Sequence, residues 1–216
     1  MPIQYTVIAE GLNIREGPST NNAAIDWLRR GEVVTLISVS GDGLWFKITS
    51  PSGQQGWVRN KYLVAVPDKD LTRPGDPPWM PLASSEVGVK EYPGNGENPR
   101  IVEYLRSTNL SAPDSARDET PWCSAFANWC VEKSGYEGTD SAWARSWLNW
   151  GSAIAKPRHG CIAVLQRNVN NGHVGFYLGA TANGIRLLGG NQSNEVKVST
   201  YKKSDVLGYR LPQNLV

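Results

Sequence analysis

The sequence predicts two domains, an all-β domain followed by an α+β domain, and three observations support this prediction. Residues 67–78 contain four prolines, several charges and few apolar side chains, which is typical of a semi-rigid linker. Before this segment, short alternating or apolar runs are separated by Gly, Asn, Ser and Pro clusters. After it, helical periodicity precedes a series of strands. We therefore predict domains over 1–66 and 79–216.

The first domain is predicted to be a small β-barrel. Its predicted strands are Gln4–Ile8, Glu32–Val39, Trp45–Ile48, Gly56–Arg59 and Tyr62–Val66. We interpret Trp45 and Trp57 as part of the barrel core, with a ligand platform as the alternative.

The second domain is predicted to pack helices on a mostly antiparallel sheet. One helix begins at Asn98-Pro99 and runs to about Thr108, and a short one covers residues 141–151. Between them, Thr120 is a suitable N-cap and Pro121 a suitable first residue for a helix that ends near Gly135. The predicted strands are Cys161–Gln166, His173–Leu178, Ile185–Leu188, Glu195–Tyr201 and Val206–Leu211.

Composition excludes several classes of protein. The formal net charge of +2, from 22 basic and 20 acidic residues, argues against a nucleic-acid partner. No apolar run approaches the length of a membrane span, so we expect no membrane insertion. The first residues lack a basic region followed by an apolar run, so we expect synthesis in the cytosol without a signal peptide.

The three cysteines are predicted to be free thiols. An odd number excludes a complete disulfide framework. Cys123 and Cys130 would lie ~10 Å apart along one helix, too far to bridge. Because no Cys or His pair has a zinc-ligand spacing, we predict no metal site and no cofactor.

Cys123 and His173 are the candidate catalytic pair. A cysteine in the first turn of a helix lies near unpaired N–H groups and the positive end of the macrodipole, which favours thiolate. His173 opens a glycine-flanked strand, and its imidazole is a partner for the thiol. Asn191 is the candidate orienting residue, with Gln192 as the alternative and an ordinary turn as the competing interpretation. The N–H of Cys123 would supply half of an oxyanion hole.

Two known families share motifs with this chain. The first region resembles a bacterial SH3 domain through its segments 12–19, 28–34, 45–48 and 56–63. Residues 79–211 resemble the CHAP and NlpC-type superfamily of papain-like cell-wall amidases and endopeptidases. The motifs that carry this second resemblance are Gly88-Val89-Lys90-Glu91, Asn98-Pro99-Arg100-Ile101, Thr120-Pro121-Trp122-Cys123-Ser124-Ala125-Phe126, Ala144-Arg145-Ser146-Trp147-Leu148, Gly172-His173-Val174-Gly175-Phe176-Tyr177 and Gly189-Gly190-Asn191-Gln192.

The resemblance implies a cysteine hydrolase with Cys123 as nucleophile, His173 as base and Asn191 as orienting residue. It also implies an SH3-like barrel that binds wall peptides or anchors its catalytic neighbour. The chain departs from the family pattern at Gly189-Gly190, where relatives often have an acidic residue before the Asn. A second departure is Cys161, where relatives commonly have Asp.

Other residues are weaker candidates. Trp122, Tyr104, Arg145 and Gln192 are candidate substrate contacts, with burial or a solvated helix face as the competing interpretations. We expect Cys130 and Cys161 to lie in the core and His159 in a solvated turn. The set Trp143, Trp147 and Trp150 has helical spacing and is predicted to be core.

The sequence therefore predicts a monomeric peptidoglycan hydrolase that cuts an amide bond in the wall peptide. With no signal peptide recognised, we expect it to reach the wall after lysis or by delivery through a secretion system. The alternatives are a cysteine amidase or acyltransferase that acts on a non-wall substrate, and a catalytically idle wall-binding protein.

Overall fold

The computed structural model describes residues 4–66, 71–92, 94 and 96–216. Their contacts define two units, one formed by 4–66 with Tyr92, Gly94 and Gly96, the other by 71–91 with 97–216. The first unit is all-β and the second combines helices with an antiparallel sheet, which confirms the predicted fold class. The part of the predicted linker at 67–70 lies outside the described residues.

The first unit is a seven-stranded antiparallel sheet. Its strands are β1 (Gln4–Val7), β2 (Gly11–Arg15), β3 (Ala24–Arg29), β4 (Val33–Val39), β5 (Trp45–Thr49), β6 (Gln55–Arg59) and β7 (Leu63–Ala65). They are ordered β3-β2-β6-β5-β4-β1-β7. The apolar core is formed by Val7, Leu12, Ile14, Leu28, Val34, Ile48, Val58 and Leu63. The sequence analysis missed β2 and β3, because only Leu12 and Ile14 are buried along β2 and only Leu28 along β3.

The second unit packs three α-helices and a six-stranded antiparallel sheet. The helices are α1 (Trp79–Ser85), α2 (Pro99–Leu105) and α3 (Cys123–Lys133), followed by a 3₁₀ helix at Ala144–Asn149. The strands are β8 (Ser152–Ala153), β9 (Ile162–Gln166), β10 (Gly172–Thr181), β11 (Gly184–Gly189), β12 (Lys197–Tyr201) and β13 (Val206–Leu211), ordered β12-β11-β10-β9-β13-β8. None of the described helices has the length and apolar character needed to cross a bilayer.

Two helix starts show how well local signals predict structure. Asn98 caps α2 as predicted, because its side-chain oxygen accepts a hydrogen bond from the N–H of Arg100. The predicted Thr120 cap of α3 is wrong. The hydroxyl of Thr120 donates instead to the carbonyl of Asp114, and α3 begins at Cys123 after Trp122, which makes no side-chain cap. Cys123 is therefore the first residue of the helix.

α3 is the central helix of the second unit. Every residue from Cys123 to Val131 is buried, against α1 and α2 and against β10 and β11. Trp147 is fully buried, and its indole N–H donates to the Ser124 hydroxyl at 2.9 Å. Trp143 is 54% exposed, so its prediction as core is wrong. It precedes the 3₁₀ helix instead of lying within an α-helix, so the predicted spacing does not bring it to the inner face.

Residues 71–78, assigned to the linker by composition, group with the second unit. Leu71 is buried in its core, and Trp79 donates its indole N–H to the Gly160 carbonyl at 2.8 Å. The His159 imidazole lies 2.8 Å from an Asp76 carboxylate oxygen, and both side chains are at least nine-tenths buried. His159 is therefore not a solvated turn residue. The segment that composition marks as a linker supplies part of this packing.

Asn128 fastens α3 to the loop that follows it. Its side-chain oxygen accepts from the N–H groups of Thr139 and Asp140, at 2.6 and 3.1 Å. Its amide N–H₂ donates to the carbonyls of Ser124 and Ser141, at 3.0 and 3.1 Å. Since Asn128 has no exposed surface, water cannot replace these bonds.

We predict that Asn128→Ala lowers the free energy of unfolding of the second unit by about 2–4 kcal/mol, because several buried backbone groups lose their partner. Denaturant unfolding of the full chain measures this. Asn183→Ala, at an exposed turn position, is the matched control and should change stability by less than about 0.5 kcal/mol. Equal effects of the two changes would contradict the assignment.

Candidate active site

Cys123 lies where α3 meets the start of β10. The backbone N–H groups of Cys123, Ser124 and Val174 lie close to its sulfur. The Val174 N–H belongs to the peptide bond that joins it to His173, so the thiol lies directly beside the beginning of that strand. The structure thus brings together the cysteine and histidine that the sequence singled out.

Burial determines the charge of the Cys123 thiol in the free protein. The residue is 6% exposed, and desolvation raises the pKa of the thiol above its usual value. The Arg167 cation and the three N–H groups lower this pKa but do not reverse the shift. Loss of water therefore opposes the thiolate that the helix end is expected to favour.

His173 is the second residue of β10 and has no exposed surface. Its ring lies 5.2 Å from the ring of Tyr201, centroid to centroid, at an interplanar angle of 33°. Nε2 is 3.4 Å from Oε1 of Gln192, and Nδ1 is 3.2 Å from a guanidinium nitrogen of Arg167. Burial, and then the Arg167 charge, lowers the pKa of His173 to about 3. The imidazole is therefore neutral at physiological pH.

Gln192 determines which ring nitrogen of His173 carries the proton. Its side-chain N–H₂ donates to the carbonyls of Gly189, at 3.1 Å, and Lys197. Its Oε1 accepts from the Tyr201 hydroxyl at 2.8 Å and faces Nε2 of His173. The two carbonyls identify the amide nitrogen, and the Tyr201 hydroxyl identifies the amide oxygen. The atom of Gln192 that faces Nε2 is therefore an acceptor. His173 then carries its proton on Nε2 and leaves the Nδ1 lone pair as an acceptor.

The prediction of Asn191 as the orienting residue is not supported by this geometry. Asn191 lies in the same turn with φ of 52°, and its side chain makes no hydrogen bond with any part of the chain that the structure describes. The left-handed backbone at Asn191, Ser193 and Asn194 gives the turn its shape. Gln192, the alternative in the sequence, is the residue that contacts the imidazole.

Gly190 explains one departure from the family pattern. A Cβ at this position would lie 2.5 Å from the Trp122 ring and 2.6 Å from the Phe126 Cβ. The turn that carries Gln192 therefore packs directly on the first turns of α3, where a side chain has no room. A larger residue before Asn191 is incompatible with this packing.

Two of the predicted substrate contacts are buried. Trp122 has no exposed surface, and its indole N–H donates to Glu91 at 2.9 Å. Tyr104 also has none; its hydroxyl donates to Glu86, which accepts two hydrogen bonds from Arg100 as well. The sequence could not distinguish an aromatic residue that lines a cleft from one that packs behind it. Both residues support the site from within the core.

Arg145 has a structural partner in place of the predicted substrate contact. Its guanidinium donates to the carbonyls of Asn168 and Asn171, at 2.6 and 3.3 Å. Trp143 donates its indole N–H to the Asn170 carbonyl at 3.2 Å. Both side chains thereby hold the loop between β9 and β10, which leads directly into His173.

The sequence reasoning missed Arg167 and Tyr201. Arg167 is exposed, its guanidinium reaches His173, and the Tyr201 hydroxyl hydrogen-bonds with it. Neither residue belongs to a motif that the sequence singled out, and only the pairing of β10 with β9 and of β11 with β12 brings them to the site. The other two cysteines, Cys130 and Cys161, have no exposed surface, in agreement with their prediction as core.

Three carboxyl groups from two segments of the sequence also come together in this unit. Those of Glu97, Asp118 and Glu119 lie within 4.8 Å of one another. Glu97 accepts from the N–H of Asp118 at 2.5 Å, and Asp118 accepts from the N–H of Asn98 at 2.8 Å. The cluster thereby connects the loop before α3 to the start of α2.

The first unit contains a separate open cleft of about 700 Å³. Trp45, which lines it, is 5% exposed, and the Arg59 guanidinium lies 5.4 Å from its ring centroid. Arg15 and Lys61 add two further cations to the lining, against the single carboxylate of Asp42. Trp45 is buried, as predicted, and also forms part of this cleft, whereas Trp57 is only half-buried and its prediction as core is wrong.

The chain is similar to several known proteins. It is 30% identical over 152 residues to "Probable endopeptidase p60" of Listeria monocytogenes, a match that covers 70% of this chain and 29% of that protein. It is 38% identical over 60 residues to "Cell wall-binding protein YwsB" of Bacillus subtilis, covering 28% of this chain and 33% of that one. The chain therefore spans about a third or less of the length of these relatives.

Among solved structures, a NlpC/P60 family protein of Bacillus cereus aligns with 97% of this chain and 63% of its own, at 13% identity and a TM-score of 0.40. Residues 10–64 match the bacterial SH3 domain family, and residues 115–191 match the CHAP domain family. The chain thus carries a bacterial SH3 domain followed by a CHAP domain.

Proposed function

We propose that this protein is a peptidoglycan hydrolase that cleaves an amide bond in the wall peptide through Cys123. The observation that carries the proposal is the thiol at the first residue of α3 beside a neutral imidazole whose Nδ1 is an acceptor. The CHAP family match over residues 115–191 and the similarity to endopeptidase p60 support the hydrolase class. The site geometry supports the roles of individual residues.

The reaction follows from the protonation states. Nδ1 of His173 takes the proton of the Cys123 thiol, and the sulfur attacks the amide carbonyl carbon to form a tetrahedral adduct. The imidazolium then returns this proton to the amine as the C–N bond breaks, leaving a thioester on Cys123. Water hydrolyses the thioester, with His173 accepting a proton from the water, and the thiol is regenerated.

Two polar groups assist these steps. Gln192 accepts from Nε2–H of His173, so it keeps Nδ1 unprotonated and stabilises the imidazolium that forms. The N–H of Cys123 lies at the start of α3 and has no carbonyl partner within the helix. It is therefore a donor for the oxyanion of the adduct.

The first unit is proposed to hold the enzyme on the wall. This rests on the SH3 family match and on the similarity to a protein named as cell wall-binding. The cleft of this unit supplies three cations and an aromatic wall, which suit a peptide that bears carboxylates. Binding there raises the local concentration of substrate for the second unit.

We predict that Cys123→Ala abolishes clearing of purified sacculi in zymography, because the change removes the nucleophile. Cys130→Ala, in the same helix, is the matched control and should clear them. Mass spectrometry of the digested muropeptides should show a defined new amine and a new carboxylate. Clearing by Cys123→Ala, or none by the unaltered protein, would contradict the proposal.

We predict that Gln192→Ala lowers kcat by about 10²-fold, because the imidazole loses the acceptor that sets its tautomer. Asn191→Gly keeps the left-handed backbone and should change kcat less than about threefold. Steady-state rates on soluble muropeptides separate the two. A larger loss for Asn191→Gly than for Gln192→Ala would restore Asn191 as the orienting residue.

We predict that alkylation of Cys123 by iodoacetamide is slow at pH 6 and rises continuously to pH 9, because burial raises the pKa of the thiol. Labelling rates followed by mass spectrometry at several pH values test this. A rate that is already constant from pH 6 upward would mean that the resting site holds a thiolate. The thiol and the neutral imidazole would then not be the starting state.

A further inference from the structure

Arg167 is an exposed residue that reaches the buried catalytic pair. One of its guanidinium nitrogens lies 3.2 Å from Nδ1 of His173, and it also hydrogen-bonds with the Tyr201 hydroxyl. Its positive charge acts on the Cys123 thiol as well. Arg167 thus extends from the protein surface to the buried pair.

This guanidinium has no anionic partner. Across the described residues Arg167 forms no ion pair, whereas Arg100 is paired with Glu86 at 2.6 Å and with Glu103 at 2.7 Å. Around Arg167 lie a thiol, an imidazole and a phenol, all neutral at physiological pH. A planar, permanently charged donor in such surroundings is suited to bind a carboxylate supplied from outside.

The backbone that carries Arg167 is held in place. The Arg167 N–H donates to the Asn171 carbonyl at 3.0 Å, and Arg145 and Trp143 hydrogen-bond to other carbonyls of the same loop. The side chain can therefore exchange partners while its anchor stays fixed.

The contact between Arg167 and His173 also conflicts with proton transfer. Nδ1 has one lone pair, and in this structure it accepts a hydrogen bond from the guanidinium. The same lone pair must accept the thiol proton in the proposed reaction. The guanidinium must therefore leave Nδ1 before His173 can act as a base.

We propose that Arg167 binds a free carboxylate of the substrate next to the scissile amide, and that this exchange of partners releases Nδ1 of His173. The inference rests on the proposed function and names its substrate class, a peptide with a free carboxylate within about one residue of the cleaved bond. Exchanging a neutral acceptor for an anion strengthens the hydrogen bonds of the guanidinium. A substrate with this carboxylate then frees the base more readily than one without it.

The test uses two synthetic muropeptides that are identical except at the group nearest the cleaved amide, a carboxylate in one and a carboxamide in the other. The full-length protein should cleave the carboxylate form with at least tenfold higher kcat/KM. Arg167→Gln should remove this preference by lowering kcat/KM for the carboxylate form. Its kcat/KM for the carboxamide form should fall much less than its kcat/KM for the carboxylate form, because the carboxamide does not pair with the guanidinium charge.

Three comparisons separate a specific role from a structural one. Arg167→Lys should retain part of the preference, since it keeps the charge but not the fork. Arg186→Gln, at an exposed arginine on β11, should behave like the unaltered protein. A thermal unfolding midpoint for Arg167→Gln close to that of Arg186→Gln would support binding over folding as the cause.

The contrary outcomes are distinct. Equal cleavage of both peptides by the unaltered protein would overturn the inference and leave the proposed function intact. A preference that survives Arg167→Gln would assign carboxylate binding to another residue and overturn it as well. Loss of cleavage of both peptides by Arg167→Gln would show a structural role. If the unaltered protein cleaves neither peptide, the proposed function fails and the inference fails with it.

Discussion

The close approach of the β11–β12 turn to the first turns of α3 is the constraint on which the second unit depends. It requires a residue without a side chain at Gly190, since the Trp122 ring fills the space that a Cβ would need. It also brings Gln192 within hydrogen-bonding distance of His173. The aromatic residues behind this contact, Trp122 and Tyr104, form its support, which explains why they are buried.

The same approach removes water from the thiol and the imidazole. Burial raises the pKa of Cys123 and lowers that of His173, so both groups are uncharged in the free protein. Charge separation must then occur during the proposed reaction, with the N–H groups and Gln192 already in position to stabilise it. Pre-arranged dipoles of this kind act most strongly where water is excluded.

Sequence patterns predicted the parts of the structure that depend on local signals. The Asn98 cap, the buried face of α3 and the Cys123–His173 pair follow from residue type and spacing. The residue that orients the imidazole could not be predicted in this way. Asn191 and Gln192 are neighbours, and the direction of each side chain depends on left-handed backbone angles in the turn. The contact of Arg167 with the site was equally unpredictable from the sequence. An exposed arginine in a loop looks like any solvated charge, and only the pairing of β9 with β10 brings this one to His173.

The pair formed by Asp76 and His159 changes where the second unit begins. Nε2 of His159 is buried and unpartnered, so Asp76 provides the only hydrogen bond that the described residues offer this ring. A fragment cut at Trp79, where proline content suggests the boundary, would leave both ring nitrogens without a partner and would expose the core beneath Leu71. A fragment that begins before Leu71 retains both contacts and is therefore the better starting point for expressing the second unit alone.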